Sequence, residues 1–227
     1  MIVTIITVVK NDSKNILKTI NSVYNQTYKR IEYIIIDGNS KDKTLSVIKN
    51  NKKKISKIYS EVDKNLYDAL NKGIKRSKGQ IVGILHSGDV YTSNDSIKKS
   101  IEILRKENLD FVLSNLKVVD KNNKVFRNVT ISKYFRPFML SLGIQPPHPT
   151  LFIRKNIIKA VNYYSTNYKI VGDFDFFCKI FKKNYKWKSF DKTTINQVRG
   201  GLSDGQIKDK ISMANDMSKI LKKNNFF

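Results

Sequence analysis

The sequence predicts an α/β fold: a mostly parallel open sheet with helices on both faces, followed by a smaller mixed region. Two observations carry this. Runs rich in Ile and Val recur at 2–9, 31–36 and 81–85, as strands buried on both faces require. Between them, apolar residues repeat at helical spacing. Strands that alternate with helices build βαβ units and hence a parallel sheet.

The elements follow in order. After the first strand, Asn11, Asp12 and Ser13 offer N-caps for a helix whose apolar face is Ile16, Leu17, Ile20, Val23 and Tyr24. The second strand, 31–36, stops at Asp37-Gly38-Asn39-Ser40, and Leu45 and Ile48 mark a short helix. A weaker third strand lies within 55–62. Leu66, Ala69, Leu70 and Ile74 share one helical face, and Gly79 precedes the fourth strand at 81–85. Ile97, Ile101 and Leu104 form another helix face before a strand at 111–113.

The second half is less regular. Val118-Val119 and 124–129 flank Asp120 to Asn123 as a hairpin. All four prolines fall between 137 and 149, which marks a loop-rich junction and a candidate subdomain boundary. Residues 174–181 read as helix and 187–190 as a short strand. Ile207, Ile211, Ala214, Met217 and Leu221 read as the buried face of a terminal helix surrounded by lysines.

The 227 residues fit one continuous domain, divided into a first half at 1–115 and a second at 116–227. Hydrophobic residues at 40% suffice for a core, which excludes a disordered chain. No apolar run reaches a membrane span, and the apolar start lacks the flanks of a signal peptide. A single cysteine, Cys178, excludes a disulfide framework and a thiolate zinc cluster, so a cytosolic setting is expected. The formal charge of +24 favours polyanions: nucleic acid, anionic lipid or phosphorylated small molecules.

In a chain this basic, the acids are informative. Asp37 follows strand two, Glu61 and Asp63 follow strand three, and Asp89 follows strand four. A parallel sheet places all four on one rim, where ligands of open α/β sheets bind. Such a cluster calls for a counter-cation: a divalent metal, a nucleoside's hydroxyls and base, or neighbouring lysines. No glycine-rich dinucleotide fingerprint, P-loop, His-Glu-x-x-His or Gly-x-Ser-x-Gly motif is present.

Three segments together carry a specific resemblance. Thr4-Ile-Ile-Thr-Val-Val-Lys-Asn-Asp12, Ser22-Val-Tyr-Asn-Gln-Thr-Tyr28 and Glu32 to Thr44, with Asp37-Gly-Asn-Ser-Lys-Asp42 inside, resemble the opening of glycosyltransferase family 2, which has the Rossmann-like GT-A fold. Ser60 to Ile74 and Lys78 to Asp89 resemble a bacterial branch that builds surface polysaccharides. The likeness thins after residue 115, to Pro147-His-Pro-Thr-Leu-Phe-Ile-Arg154 and Gly172-Asp-Phe-Asp-Phe176.

The resemblance implies a UDP-type nucleotide-sugar donor, Mn²⁺ or Mg²⁺, and a glycan or lipid-linked acceptor. It implies that Thr7 and Val9 line the nucleotide pocket, that Asp37 meets the uracil or ribose, and that Glu61, Asp63, His86 and Ser87 lie on the donor side. Asp89 matches the last carboxylate of the metal motif. Asp173 matches the general base of inverting members, with Asp175 the alternative on the acceptor side. His148 falls in the acceptor-side segment, to contact the diphosphate or the acceptor.

There are departures: paired aspartates become Asp37-Gly38 and Gly88-Asp89, and the usual Glu-Asp pair becomes Gly172-Asp173. The chemistry matches those positions. Inverting transfer needs one base for the acceptor hydroxyl and positive charge on the departing diphosphate.

Other residues carry blander readings. Tyr24, Tyr28, Tyr67 and Phe111 read as core rather than sugar-stacking aromatics, Tyr67 least securely because it adjoins Asp68. The terminal helix, with its lysines and Phe226-Phe227, has the make-up of a peripheral membrane contact as well as of a packing helix. The rival classes are a nucleic-acid-binding protein, which the charge supports but the acidic rim opposes, and a nucleotidyltransferase, which needs a glycine missing from Val8-Val-Lys-Asn-Asp12.

Overall fold

Nine strands form one sheet in a computed structural model that describes residues 1–131, 135–200 and 207–226. The elements are β1 (Val3–Val9), α1 (Ile16–Tyr24), β2 (Ile31–Asp37), α2 (Thr44–Asn50), β3 (Lys57–Ser60), α3 (Leu66–Arg76), β4 (Ile81–Ile84) and β5 (Val90–Tyr91). Then come α4 (Ser96–Lys106), β6 (Phe111–Val119), β7 (Val125–Val129), β8 (Phe152–Arg154), α5 (Lys155–Ala160), α6 (Gly172–Phe181), β9 (Trp187–Val198) and α7 (Ile207–Lys223).

The order across the sheet is β3-β2-β1-β4-β8-β6-β9-β5, with β7 paired to β6. The first four strands are parallel, so their carboxyl ends share one rim as expected. β8 is antiparallel to both β4 and β6.

Alternation along the strands explains the two layers of helices. Ile6, Ile34, Ile36, Val82 and Phe111 face α3, α5, α6 and α7. Ile5, Tyr33, Ile35, Ile81 and Val112 face α1, α2 and α4. Both faces are covered, which is why these strands read as continuous apolar runs.

The second half differs most from expectation. The short strand expected at 187–190 is the twelve-residue β9, which runs parallel to β6. Its polar content (Lys188, Asp191, Lys192, Asn196) disguised it, because much of it is only half-buried. The proline-rich stretch does not separate two sheets, since β8 directly follows it and inserts between β4 and β6. Residues 115 and 116, where the two halves were expected to meet, lie inside β6.

The terminal helix turns a different face inward. Met213 and Met217 pack on the core and Ile220 and Leu221 are buried, whereas Ile211 is 59% exposed. Ala214 is exposed too, and the side chain of Ile207 lies outside the described residues. Phe226 packs against the core rather than projecting as an anchor, and Phe227 lies outside the described residues. Among the described residues, no helix is long and apolar enough to cross a membrane.

Candidate active site

A cleft of about 380 Å³ opens beyond the carboxyl ends of β1 and β4. Asp12 and Asn15 reach it from the turn after β1, and His86, Ser87, Gly88 and Asp89 from the turn after β4. Asp12 ties the two turns together: it accepts from the Asn15 amide at 2.7 Å and from the Ser87 hydroxyl at 2.7 Å. Gly88 has φ +92°, a conformation that side chains disfavour, and this tight turn aims Asp89 inward.

Asp89 is 3% exposed. Its Oδ1 accepts from the Val198 amide at 3.1 Å. Its Oδ2 is buried with no hydrogen-bond partner among the described residues. Burial pushes this carboxyl up to about 8, and the Val198 amide and the Gln197 side chain offset only part of that rise. A buried carboxylate oxygen left unpaired beside a cleft is a fit for a cation. Among the described residues there is no cluster of three or more His, Cys, Asp or Glu that would hold a metal alone. Asp89 is the residue of this cleft that would hold such an ion.

The far wall is built by α6 and the turn at His148–Thr150. Asp173, in the first turn of α6, is half-buried, and desolvation raises its carboxyl. Its Oδ1 accepts from the Phe174 amide at 2.9 Å and lies 3.3 Å from the Tyr67 hydroxyl. Its Oδ2 accepts from the Gln145 amide at 3.1 Å. His148 bonds the Tyr164 hydroxyl at 2.8 Å, and its ring lies 6.3 Å from that of His86. Burial lowers both imidazoles to about 4, so both are neutral near pH 7.

Asp173 and His148 also line a second groove, of about 640 Å³, bounded by β7, the turn at 143–147 and Met213 and Met217 of α7. The two cavities therefore meet at these residues.

The structure thus gathers His86, Ser87, Asp89, His148 and Asp173 in one cleft, but not the rest of the expected set. Thr7 is fully buried, its hydroxyl donating to the Leu85 carbonyl at 2.7 Å, and Val9 packs in the core below α1. Neither side chain lines the cleft, because the β1 pleat turns both into the layer of α1 and α2. Asp37 is fully buried and accepts from the Ser40 and Ser60 hydroxyls. Glu61 forms a forked pair with Arg76, and Asp63 pairs with Lys72 at 2.8 Å. These three acids stand together at the ends of β2 and β3 but outside this cleft, and cations or hydroxyls of the protein already answer them. Asp63 Oδ2 is the exception, buried and without a hydrogen-bond partner among the described residues. Asp175 is fully buried on the other side of α6, paired with Lys179 at 2.7 Å, and it lines neither cavity.

Sequence reasoning missed Asn15, Gln145, Gln197 and Arg199, and took Asp12 for a helix cap. Asp12 lay in a quoted motif, so its signal was present. Arg199 was one of 43 basic residues, and only the end of β9 brings it to the cleft.

Gly172, where an acid was usual, has a physical reason. A Cβ there would lie 2.6 Å from the Tyr67 ring.

Comparisons with known proteins identify the family and the fold. The model of the family described as Glycosyl transferase family 2 matches residues 4–190. An uncharacterised glycosyltransferase of Mycobacterium tuberculosis is 28% identical over 180 residues, 77% of this chain and 66% of that protein. The Escherichia coli protein WfgD, a UDP-Glc:alpha-D-GlcNAc-diphosphoundecaprenol beta-1,3-glucosyltransferase, is 28% identical over 124 residues, 54% of this chain and 49% of that protein. The chain therefore spans less than two thirds of these relatives' length. Among solved structures, Staphylococcus aureus TarS in complex with UDP-GlcNAc superposes with a TM-score of 0.79 at 18% identity, over 97% of this chain and 66% of that one. The mannosyltransferase PcManGT of Pyrobaculum calidifontis, in complex with GDP-Man and Mn²⁺, gives 0.70 at 14% identity, over 97% and 63%. The fold is that of GT-A glycosyltransferases, and the chain belongs to glycosyl transferase family 2.

Proposed function

We propose that the chain is an inverting, metal-dependent glycosyltransferase. It would move a sugar from a nucleotide-sugar, in first place a UDP-sugar, to a glycan or lipid-linked acceptor in bacterial surface-polysaccharide synthesis. The observation that carries this is the junction at Asp173. The cleft that holds the unpaired Asp89 carboxylate and the groove beside α7 meet at this one carboxylate.

In this reading the cleft takes the donor and the groove the acceptor, a division by cavity that replaces one at residue 115. A bound Mn²⁺ or Mg²⁺ would supply positive charge to the leaving diphosphate. Asp89 would hold that ion, and Arg199 at the cleft mouth would add positive charge of its own. Asp173 as carboxylate takes the acceptor hydroxyl's proton as that oxygen bonds to the anomeric carbon and the bond to the diphosphate breaks. The alternative base, Asp175, is paired with Lys179, which leaves Asp173 as the base of a single displacement. His148 and His86, neutral near pH 7, orient polar groups without acting as acids there.

Two names support the substrate classes: TarS was solved with UDP-GlcNAc, and WfgD acts on a diphosphoundecaprenol-linked acceptor. For a lipid-linked acceptor, the surface toward the bilayer is the turn at Pro137–Leu142 and its continuation, beside the groove. It exposes Phe138, Leu142 and Ile144 by 59%, 67% and 51%. A peripheral contact on the cytosolic side of a membrane would use this turn rather than the terminal phenylalanines.

The test is Asp173→Asn, assayed for release of UDP from UDP-GlcNAc and UDP-glucose with Mn²⁺. We expect UDP binding within about twofold of wild type and turnover reduced by at least about 10²-fold, the weight of a general base. Near-normal turnover would place the base elsewhere.

A further inference from the structure

One face of α3 is bonded throughout to the segment that delivers Asp173. Asn65 caps the helix by accepting from the amides of Tyr67 at 3.1 Å and Asp68 at 3.0 Å. Its own amide donates to the carbonyls of Thr166 at 2.8 Å and Tyr168 at 3.4 Å. Asn71 holds both backbone groups of Tyr164, at 2.8 and 3.1 Å. Between them, the Tyr67 hydroxyl stands against the Ile170 carbonyl and 3.3 Å from Asp173 Oδ1. Its one proton faces two acceptors, of which the carbonyl is the nearer.

The Tyr67 ring closes the same space from above. It occupies the position that any side chain at Gly172 would need. On the opposite side, Gln145 donates to Asp173 Oδ2 from the proline-rich segment. Side chains from two elements distant in sequence thus flank the two carboxylate oxygens. Packing alone would account for the ring, which is 3% exposed, but not for the placement of the hydroxyl.

We propose that Tyr67 and Gln145 form a clamp that positions the Asp173 carboxylate at the junction of cleft and groove. Both are positioning residues, and the catalytic meaning of the clamp rests on the reading of Asp173 as base. Donors at both oxygens favour the charged carboxylate, which is the form a base needs. The other titratable or charged groups around it are Tyr164 before α6 and His86 after β4, with Asp12, Asp89, His148 and Arg199 in the same cleft and Arg127 in the groove. Asp175 and Lys179, further along α6, pair with each other.

The experiment is a pH titration of carboxyl-¹³C-aspartate-labelled protein by NMR, with Asp173→Asn identifying the Asp173 signal. Tyr67→Phe keeps the ring and removes the hydroxyl, and Gln145→Leu removes the other donor. The inference predicts that each variant moves the Asp173 midpoint up by about one pH unit, the weight of a hydrogen bond to a charged group. With UDP-GlcNAc and Mn²⁺, kcat for UDP release should fall roughly tenfold in Tyr67→Phe with the donor KM unchanged, and its acidic limb should move to higher pH. A wild-type Asp173 midpoint in both variants overturns the clamp. If instead Asp173→Asn releases UDP at the wild-type rate, the base reading fails, while the NMR midpoints still decide the clamp.

Discussion

Gly172 and Tyr67 show how one residue constrains another 105 positions away in the chain. The ring leaves no room for a Cβ at 172, so Gly172→Ala must shift the ring or the first turn of α6. Overpacking of this kind costs about 1–3 kcal/mol. Urea unfolding should show that loss, and it should shrink in a Tyr67→Ala background, because the two sites share one space. A residue in the site also sets a pH dependence. His148 is held near a pKa of about 4 against 6.5 when free, so the folded state binds fewer protons than the unfolded one. Its contribution is complete above pH 6.5 and is lost as pH falls toward 4, by about 2 kcal/mol between pH 7 and pH 5. His148→Gln should flatten that part of the stability curve, as denaturation midpoints at the two pH values would show. At this scale the sequence was legible where a residue type is scarce. Acids are few in a basic chain, so Asp89 stood out, while Asp173 came from the family resemblance alone and Gln145 and Arg199 had no such contrast.

Elements decide which of the expected residues meet. α3 lies between the acids after β3 and the segment before α6. Lys72 and Arg76 hold Asp63 and Glu61, while Asn65, Tyr67 and Asn71 hold residues 164–170. Asn71→Ala would leave the amide and carbonyl of Tyr164 buried without their partner. We expect a loss of about 2–4 kcal/mol, with faster hydrogen exchange concentrated in 164–170. β1, β2 and β4 were legible because burial on both faces forces an unbroken apolar run, and the half-buried edge strand β3 gave a weaker signal. β9 was not, since a half-exposed strand carries lysines and asparagines like a loop. The inward face of α7 was misread by choosing Ile211 and Ala214, because an isoleucine on a largely exposed helix satisfies the same periodicity as a buried one. β8 has three residues, too few to show any period.

The whole molecule combines a charge of +24 with a rim of carboxylates, and the two fit one kind of ligand. In the proposed reading a basic surface would draw in a phosphorylated donor, and the unpaired buried carboxylate in the cleft would accept the cation that travels with it. Nucleic acid would suit the charge but not the cleft, whose volume of about 380 Å³ suits a small ligand. The parallel half-sheet and its rim followed from the strand-helix alternation. The joining of two cavities at Asp173 did not, because it depends on β8 entering the sheet beside β4 and β9 beside β6. The most direct measurement is calorimetric titration of UDP into the wild type and into Asp89→Ala, each with and without Mn²⁺. The account predicts that Mn²⁺ strengthens UDP binding to the wild type at least tenfold, about 1.4 kcal/mol, and that Asp89→Ala loses this gain. UDP binding that ignores Mn²⁺, or a Mn²⁺ effect that survives in Asp89→Ala, would contradict it.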